Sequence, residues 1–146
     1  MSLSERIEAD LREAMKSGDA VRVSTLRLLR SGLKNREIAS GTALGDAEVE
    51  RVIAGELKQR RESAESYRAG DRAELAQQEE AEALILQAYL PEPLSETELS
   101  EIIDRAIASL GEEAQLGAVI GRVRAEVGSR AEGGRVARLV QQKLGN

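Results

Sequence analysis

The ten residues YLPEPLSETE, Tyr89 to Glu98, divide the chain in two. Pro91 and Pro93 cannot continue a helix, and each holds the residue before it extended. Ser95 then opens a new helix, because Glu98 three positions on completes a capping-box signature. The stretch predicts an N-terminal helical domain over 1–90, a proline linker over 91–94 and a C-terminal domain over 95–146.

On both sides of it, apolar side chains recur at helical spacing. Ser2 and Glu5 mark a first capping box, and Leu3, Ile7, Leu11 and Met15 follow every four residues. Gly18 stops that helix, and Asp19 caps the next, which points Val23, Leu26, Leu29 and Leu33 inward and ends near Gly41. Asp46 is expected to cap a third helix, with Val49, Val52, Ile53 and Leu57 inward and Gly70 as its end. Asp71 and Glu74 read as another capping box, opening a fourth helix with Leu75, Ala81, Leu84, Ile85 and Ala88 inward. Beyond the prolines, Leu99, Ile102, Ile103, Ala106, Ile107 and Leu110 form a fifth stripe, closed by Gly111. A sixth helix is expected over about 115–127, with Leu116, Val119, Ile120, Val123 and Val127 inward. A seventh covers about 132–144, with Val136, Leu139, Val140 and Leu144 inward. No internal repeat is evident. The reading is all-α, four helices followed by three.

Composition agrees with this. Of 146 residues none is Phe or Trp, and Tyr67 and Tyr89 are the only aromatics. The apolar content is Ala, Leu, Ile and Val, weighted towards strong helix formers, whereas a sheet draws more on aromatic and β-branched side chains. Cysteine and histidine are absent. That excludes disulfides, zinc sites built on thiolate or imidazole, cysteine nucleophiles and every scheme with a histidine base. No cofactor or metal site is expected. No apolar run approaches the roughly 20 residues of a membrane span, and the acidic start MSLSERIEAD is unlike a signal peptide. A cysteine-free chain of this kind points to a cytoplasmic setting.

The net charge of −5 conceals segregation. Residues 20–36 carry Arg22, Arg27, Arg30, Lys34 and Arg36 and no acid, whereas residues 94–116 carry six acids against Arg105. Residues 117–146 carry Arg122, Arg124, Arg130, Arg135, Arg138 and Lys143 against Glu126 and Glu132. Within them, GAVIGRVRAEVGSRAEGGRVARLV (Gly117 to Val140) holds five glycines. A phosphate-binding P-loop needs Lys-Ser/Thr after its second glycine, and Gly134-Arg135 stands there instead, with no strand before it. Gly128 is read as ending helix six, and Gly133 and Gly134 as opening helix seven. That helix start, flanked by Arg130 and Arg135, can hold an anion such as an RNA phosphate. Gly117 and Gly121 share a helix face and are expected to permit close helix packing, the alternative being close approach of a ligand backbone. On helix two, Arg27, Arg30 and Lys34 form a row that can pair with acids of helix three or meet RNA. Stacking aromatics are missing, so any RNA contact reads backbone and shape. No serine or carboxylate stands out as a nucleophile or an acid–base pair, so no catalytic residue is assigned.

Three stretches together resemble a known family: VRVSTLRLLRSGLKNREI (21–38), ELKQRRESAESYRAGDRAELAQQEEAEALILQAYLPEPLSETEL (56–99) and GAVIGRVRAEVGSRAEGGRVARLVQQKL (117–144). They look like a YqeY-like protein of the GatB/YqeY group. The resemblance implies a C-terminal domain similar to the tail of the B subunit of the tRNA-dependent amidotransferase, where the tail helps hold tRNA. It also implies an association with glutamine-dependent carbon–nitrogen ligase activity, without the domain that carries that chemistry. SRAEGG departs from the commoner GRADG, with Glu132 in place of Asp and Gly134 where Lys is common. The expected function is a noncatalytic tRNA-associated module. Its contacts would be Arg122, Arg124, Arg130, Arg135, Arg138 and Lys143, with Arg27, Arg30 and Lys34 as a second surface. The alternative is an adaptor that docks an amidotransferase subunit or another protein without touching RNA.

Overall fold

The structure, a computed structural model, describes residues 1–145. Among them are seven α-helices and no strand: α1 Leu3–Ser17, α2 Ala20–Ser40, α3 Asp46–Ala69, α4 Ala73–Gln87, α5 Glu96–Leu110, α6 Leu116–Val127 and α7 Gly133–Leu144. Single 3-10 turns, Gly111–Glu113 and Gly128–Arg130, precede α6 and α7. The chain divides into two compact units between Leu90 and Pro91.

In the first unit, Ser2 and Glu5 make the reciprocal cap of α1. Gly18 ends that helix at φ 74°, a left-handed conformation glycine adopts without steric cost, and its amide donates to the Ala14 carbonyl. Ile7 and Leu11 of α1, Leu26, Leu29 and Leu33 of α2, Val49, Ile53 and Leu57 of α3, and Ala83 and Leu86 of α4 build the core together with Tyr89. The Tyr89 hydroxyl donates to the Asp10 carboxylate, and the Arg6 guanidinium lies 4.8 Å from the ring centroid. Burial, and then the Asp10 carboxylate, push the phenol well above its ordinary range. The α3–α4 pair is laced by cations of α3: Arg60 reaches Glu79 at 3.3 Å and Glu82 at 3.4 Å, and Arg68 grips Glu80 with two hydrogen bonds.

Three details of this unit differ from the sequence reading. Gly45 is the N-cap of α3, and Asp46 is already helical; its carboxylate instead accepts from the Leu3 amide at 3.0 Å and so caps α1. Asp71 makes no capping box, because it takes a positive φ of 58°, and Arg72 precedes the helix without a side-chain cap bond. The inward face of α4 is Ala76, Ala83 and Leu86, whereas Leu84 is 73% exposed and Leu75 is exposed as well. A run such as ALILQAYL is apolar all round, so its phase is set by the partner helix rather than by its own periodicity. Replacing Leu84 by Gln is therefore expected to change stability by no more than about 0.5 kcal/mol. Leu86→Ala is expected to cost about 2–5 kcal/mol. Urea denaturation of both variants reads the difference.

The second unit buries Leu94, Leu99, Ile103 and Ala106 against Val119, Val123 and Val127 of α6 and Val136 and Val140 of α7. A short repeat runs through it. Gly111 and Gly128, seventeen positions apart, share one backbone conformation (φ 57°, ψ −123° and φ 54°, ψ −129°) that side-chain-bearing residues rarely adopt. Each opens a 3-10 turn, each turn is followed by an alanine, Ala114 or Ala131, and each leads to a helix N-cap at Gln115 or Glu132. Val119 and Val123 then match Val136 and Val140 at the same offset. The repeat escapes a reading of the sequence because few of its positions keep the same side chain.

Ser95 and Glu98 form a complete capping box on α5. The Ser95 amide, and then its hydroxyl, hold the exposed Glu98 carboxyl below its ordinary value of 4.5. A lowered folded value means stability that is present above that pH and lost as the pH falls through the folded value. Ser95→Ala is expected to cost about 1 kcal/mol at neutral pH. Glu98→Gln, which removes the charge the Ser95 amide holds, should fall below the parent chain at neutral pH and approach it in acid, which thermal melts across pH 3–7 would follow.

Candidate nucleic-acid interface

The basic residues singled out in the sequence are divided by what they already hold. Arg130 Nε donates to the Glu92 carbonyl at 3.1 Å, and Arg135 Nη1 donates to the Leu94 carbonyl at 2.9 Å. The Leu94 amide in turn donates to the Arg130 carbonyl at 2.8 Å. With Leu94 buried, these bonds fasten residues 92–94 to the turn between α6 and α7. The two arginines flanking the glycine turn thus have a structural task. Lys143 pairs with Asp104 at 2.8 Å, and Arg122 donates to the Ser109 hydroxyl at 2.9 Å. On α2, Arg30 lies 3.5 Å from Glu8 of α1 rather than against an acid of α3, while Arg27 and Lys34 are exposed.

Arg124 and Arg138 remain, with no hydrogen bond or ion pair among the described residues, and both are exposed. The Arg124 guanidinium is laid against the start of α7. A Cβ on Gly133 would stand 3.4 Å from its Cζ, so the glycine makes room for it. Gly117 and Gly121 precede Arg124 at four- and three-residue steps, on one face of α6. The expectation that these glycines admit close packing fails: both are exposed, and a Cβ on either would meet no heavy atom within 4 Å. Gly134 and the exposed Arg138, four residues apart on α7, share a face of that helix. Glu132, the N-cap of α7, sends its carboxylate to 3.3 Å from a Cβ position on Gly134, so one acid shares the helix start. The assembly is a smooth glycine face that leads to Arg124 and to a helix N-terminus, whose free amides favour anions.

The sequence profile described as Yqey-like protein matches residues 4–144. The chain belongs to the YqeY-like family. Among its relatives is "Altered inheritance of mitochondria protein 41, mitochondrial" of Lachancea thermotolerans, 33% identical over 107 residues, which are 71% of this chain and 57% of that protein. The protein of the same name in Pyrenophora tritici-repentis is 28% identical over 109 residues, 73% of this chain and 60% of the relative. The matched region thus spans under two thirds of these relatives' length. Their names overturn the cytoplasmic setting expected from the sequence: they are mitochondrial proteins. The physical error is plain, since a chain without thiols reports nothing about the redox poise of its surroundings. No helix among the described residues is long and apolar enough to cross a membrane.

Because Gly117 and Gly121 lie in open space, the fold itself does not need them. Gly121→Ala is expected to raise stability by about 1 kcal/mol, the helix-propensity gain over glycine, and Gly117→Ala, in the first turn of α6, by less. Chemical denaturation of the single variants measures this, and a loss of stability would show that the glycines serve packing after all.

Proposed function

We propose that this chain is a noncatalytic RNA-binding module whose second unit meets the phosphate backbone of a transfer RNA. The observation that carries the reading is the exposed Gly117–Gly121 face leading to Arg124, which itself rests on Gly133. Two helical glycines that serve no packing contact, Gly121 inside α6 and Gly117 in its first turn, cost helix stability, and close approach of a polymer backbone is what such a face permits. Arg124 and Arg138 supply the charge, and the α7 N-terminus adds backbone donors. The likeness to the amidotransferase B-subunit tail supplies the RNA class and the association with glutamine-dependent carbon–nitrogen ligation. In this reading the ligase chemistry belongs to a partner assembly, for this chain has no histidine or cysteine to activate an acyl group. Arg27 and Lys34 offer a second phosphate contact on α2.

Fluorescence anisotropy with labelled total tRNA tests the proposal. Affinity should fall steeply with salt, as expected for counterion release. Arg124→Glu combined with Arg138→Glu should weaken binding about tenfold or more and flatten the salt slope by about two phosphate contacts. Gly121→Leu should reduce binding without reducing stability. Arg130 and Arg135 are the wrong probes, because their loss releases the 92–94 segment. Absence of tRNA binding at low salt, or unchanged affinity in the double variant, sinks the reading.

A further inference from the structure

Between α2 and α3 the first unit leaves an open groove of about 460 Å³. Gly32, Asn35 and Ala39 line it from α2, and Val52, Gly55 and Gln59 line it from α3. Both rows run at three- and four-residue steps, the spacing of a helix face that receives another helix. Leu28, 55% exposed, extends the α2 row by a further four-residue step. Gly55 is exposed, and a Cβ on it would meet nothing within 4 Å. Gly32 has another task. A Cβ there would stand 2.9 Å from Glu56 Oε1, so the glycine lets that carboxylate lie against the α2 backbone.

Glu56 is half-buried and makes no hydrogen bond or close ion pair among the described residues. Burial pushes its carboxyl above the usual range, an effect that Arg60 one turn on only offsets in part. Exposed Arg36 and Arg51 line the same groove. The charge order is therefore a poorly solvated anion accompanied by two exposed cations. A phosphate backbone would be repelled by Glu56. A small ligand would be poorly enclosed in an open trough, whereas most small-ligand sites cover the greater part of their occupant. A helix matches both the row spacing and the small residues Gly55 and Ala39, which let helix axes approach closely. We infer that this groove receives an α-helix of a partner protein, with a Lys or Arg of that helix on Glu56 and acidic residues on Arg36 and Arg51. This site lies in a different unit from the Arg124–Arg138 face and does not depend on it.

The test uses the full chain and three labelled helical peptides of about six turns. One carries a central Arg with two Glu in the next turn on one side of it, because Arg36 and Arg51 both lie toward the α2–α3 loop from Glu56; one has these charges reversed, and one has Gln at all three positions. The Arg-centred peptide should bind about tenfold or more tightly than the reversed one, and Glu56→Gln should remove that preference. Amide shifts on titration should fall on Gly32, Asn35 and Gly55. Gly55→Leu should abolish binding while raising the melting temperature, since it fills the groove yet improves helix propensity. Equal or absent binding of the three peptides, shifts confined to other faces, or a preference that survives Glu56→Gln overturns the proposal. So does a loss of tRNA affinity in Arg36→Glu with Arg51→Glu, which would make the groove an RNA surface.

Discussion

Everything in this molecule follows from a core with no Phe and no Trp. Each helix contributes only two to four buried side chains, almost all Leu, Ile, Val or Ala. Burying a Leu or Val side chain yields about 1.5–3 kcal/mol, so a thin aliphatic core holds helices together without dictating how far one slides along another. That second task falls to polar contacts. Arg60 lies between Glu79 and Glu82 with its side chain only 21% exposed, fixing α3 against α4. Arg130 and Arg135 do the same for the segment that leads into α5. Pairs more than half exposed, such as Lys58 with Glu62, contribute little, about 0–1 kcal/mol. The informative cations are the ones bonded to backbone carbonyls or partly shielded from water.

This division explains what the sequence revealed and what it hid. Helix starts marked by reciprocal Ser–Glu boxes were legible, because both bonds lie within four residues and need no tertiary partner. Asp46 and Asp71 have the right residue type for a cap but serve elsewhere. Asp46 is recruited by the Leu3 amide, a contact spanning 43 positions, and Asp71 by a left-handed turn. The phase of α4 was illegible for a related reason: Leu84 and Leu86 are equally apolar, and only the place of α3 decides which is buried. Pattern alone reads elements whose boundaries are local. It fails where one side chain has two chemically equal uses.

The basic residues show the same limit in its functional form. Their number and clustering were plain, yet clustering does not say which guanidiniums are already occupied. Arg130 and Arg135 flank the glycine turn and were expected to help hold an anion there, but they are bonded to the Glu92 and Leu94 carbonyls. Lys143 is matched by Asp104. Of the residues first expected to meet RNA, Arg124 and Arg138 on one unit and Arg27 and Lys34 on the other are still open to an outside anion. On a chain of net charge −5, RNA binding of the kind proposed would rest on few contacts and so be modest and sensitive to salt. Glu132 beside the α7 start would lower it further.

The glycines carry the remaining argument. Those with positive φ, such as Gly111 and Gly128, are accounted for by the turns they make. Gly55, Gly117 and Gly121 are different: each sits inside a helix, exposed, with nothing within 4 Å of where a Cβ would stand. At such a position alanine would be more stable by up to about 1 kcal/mol, and no internal contact offsets that loss. Two of the three lie on the face that leads to Arg124, and the third in the groove that holds Glu56. Each therefore marks a surface beside a charged group with room for another backbone to come close. In the two proposals the compensation for these glycines lies outside the chain, in an RNA backbone at one surface and a partner helix at the other.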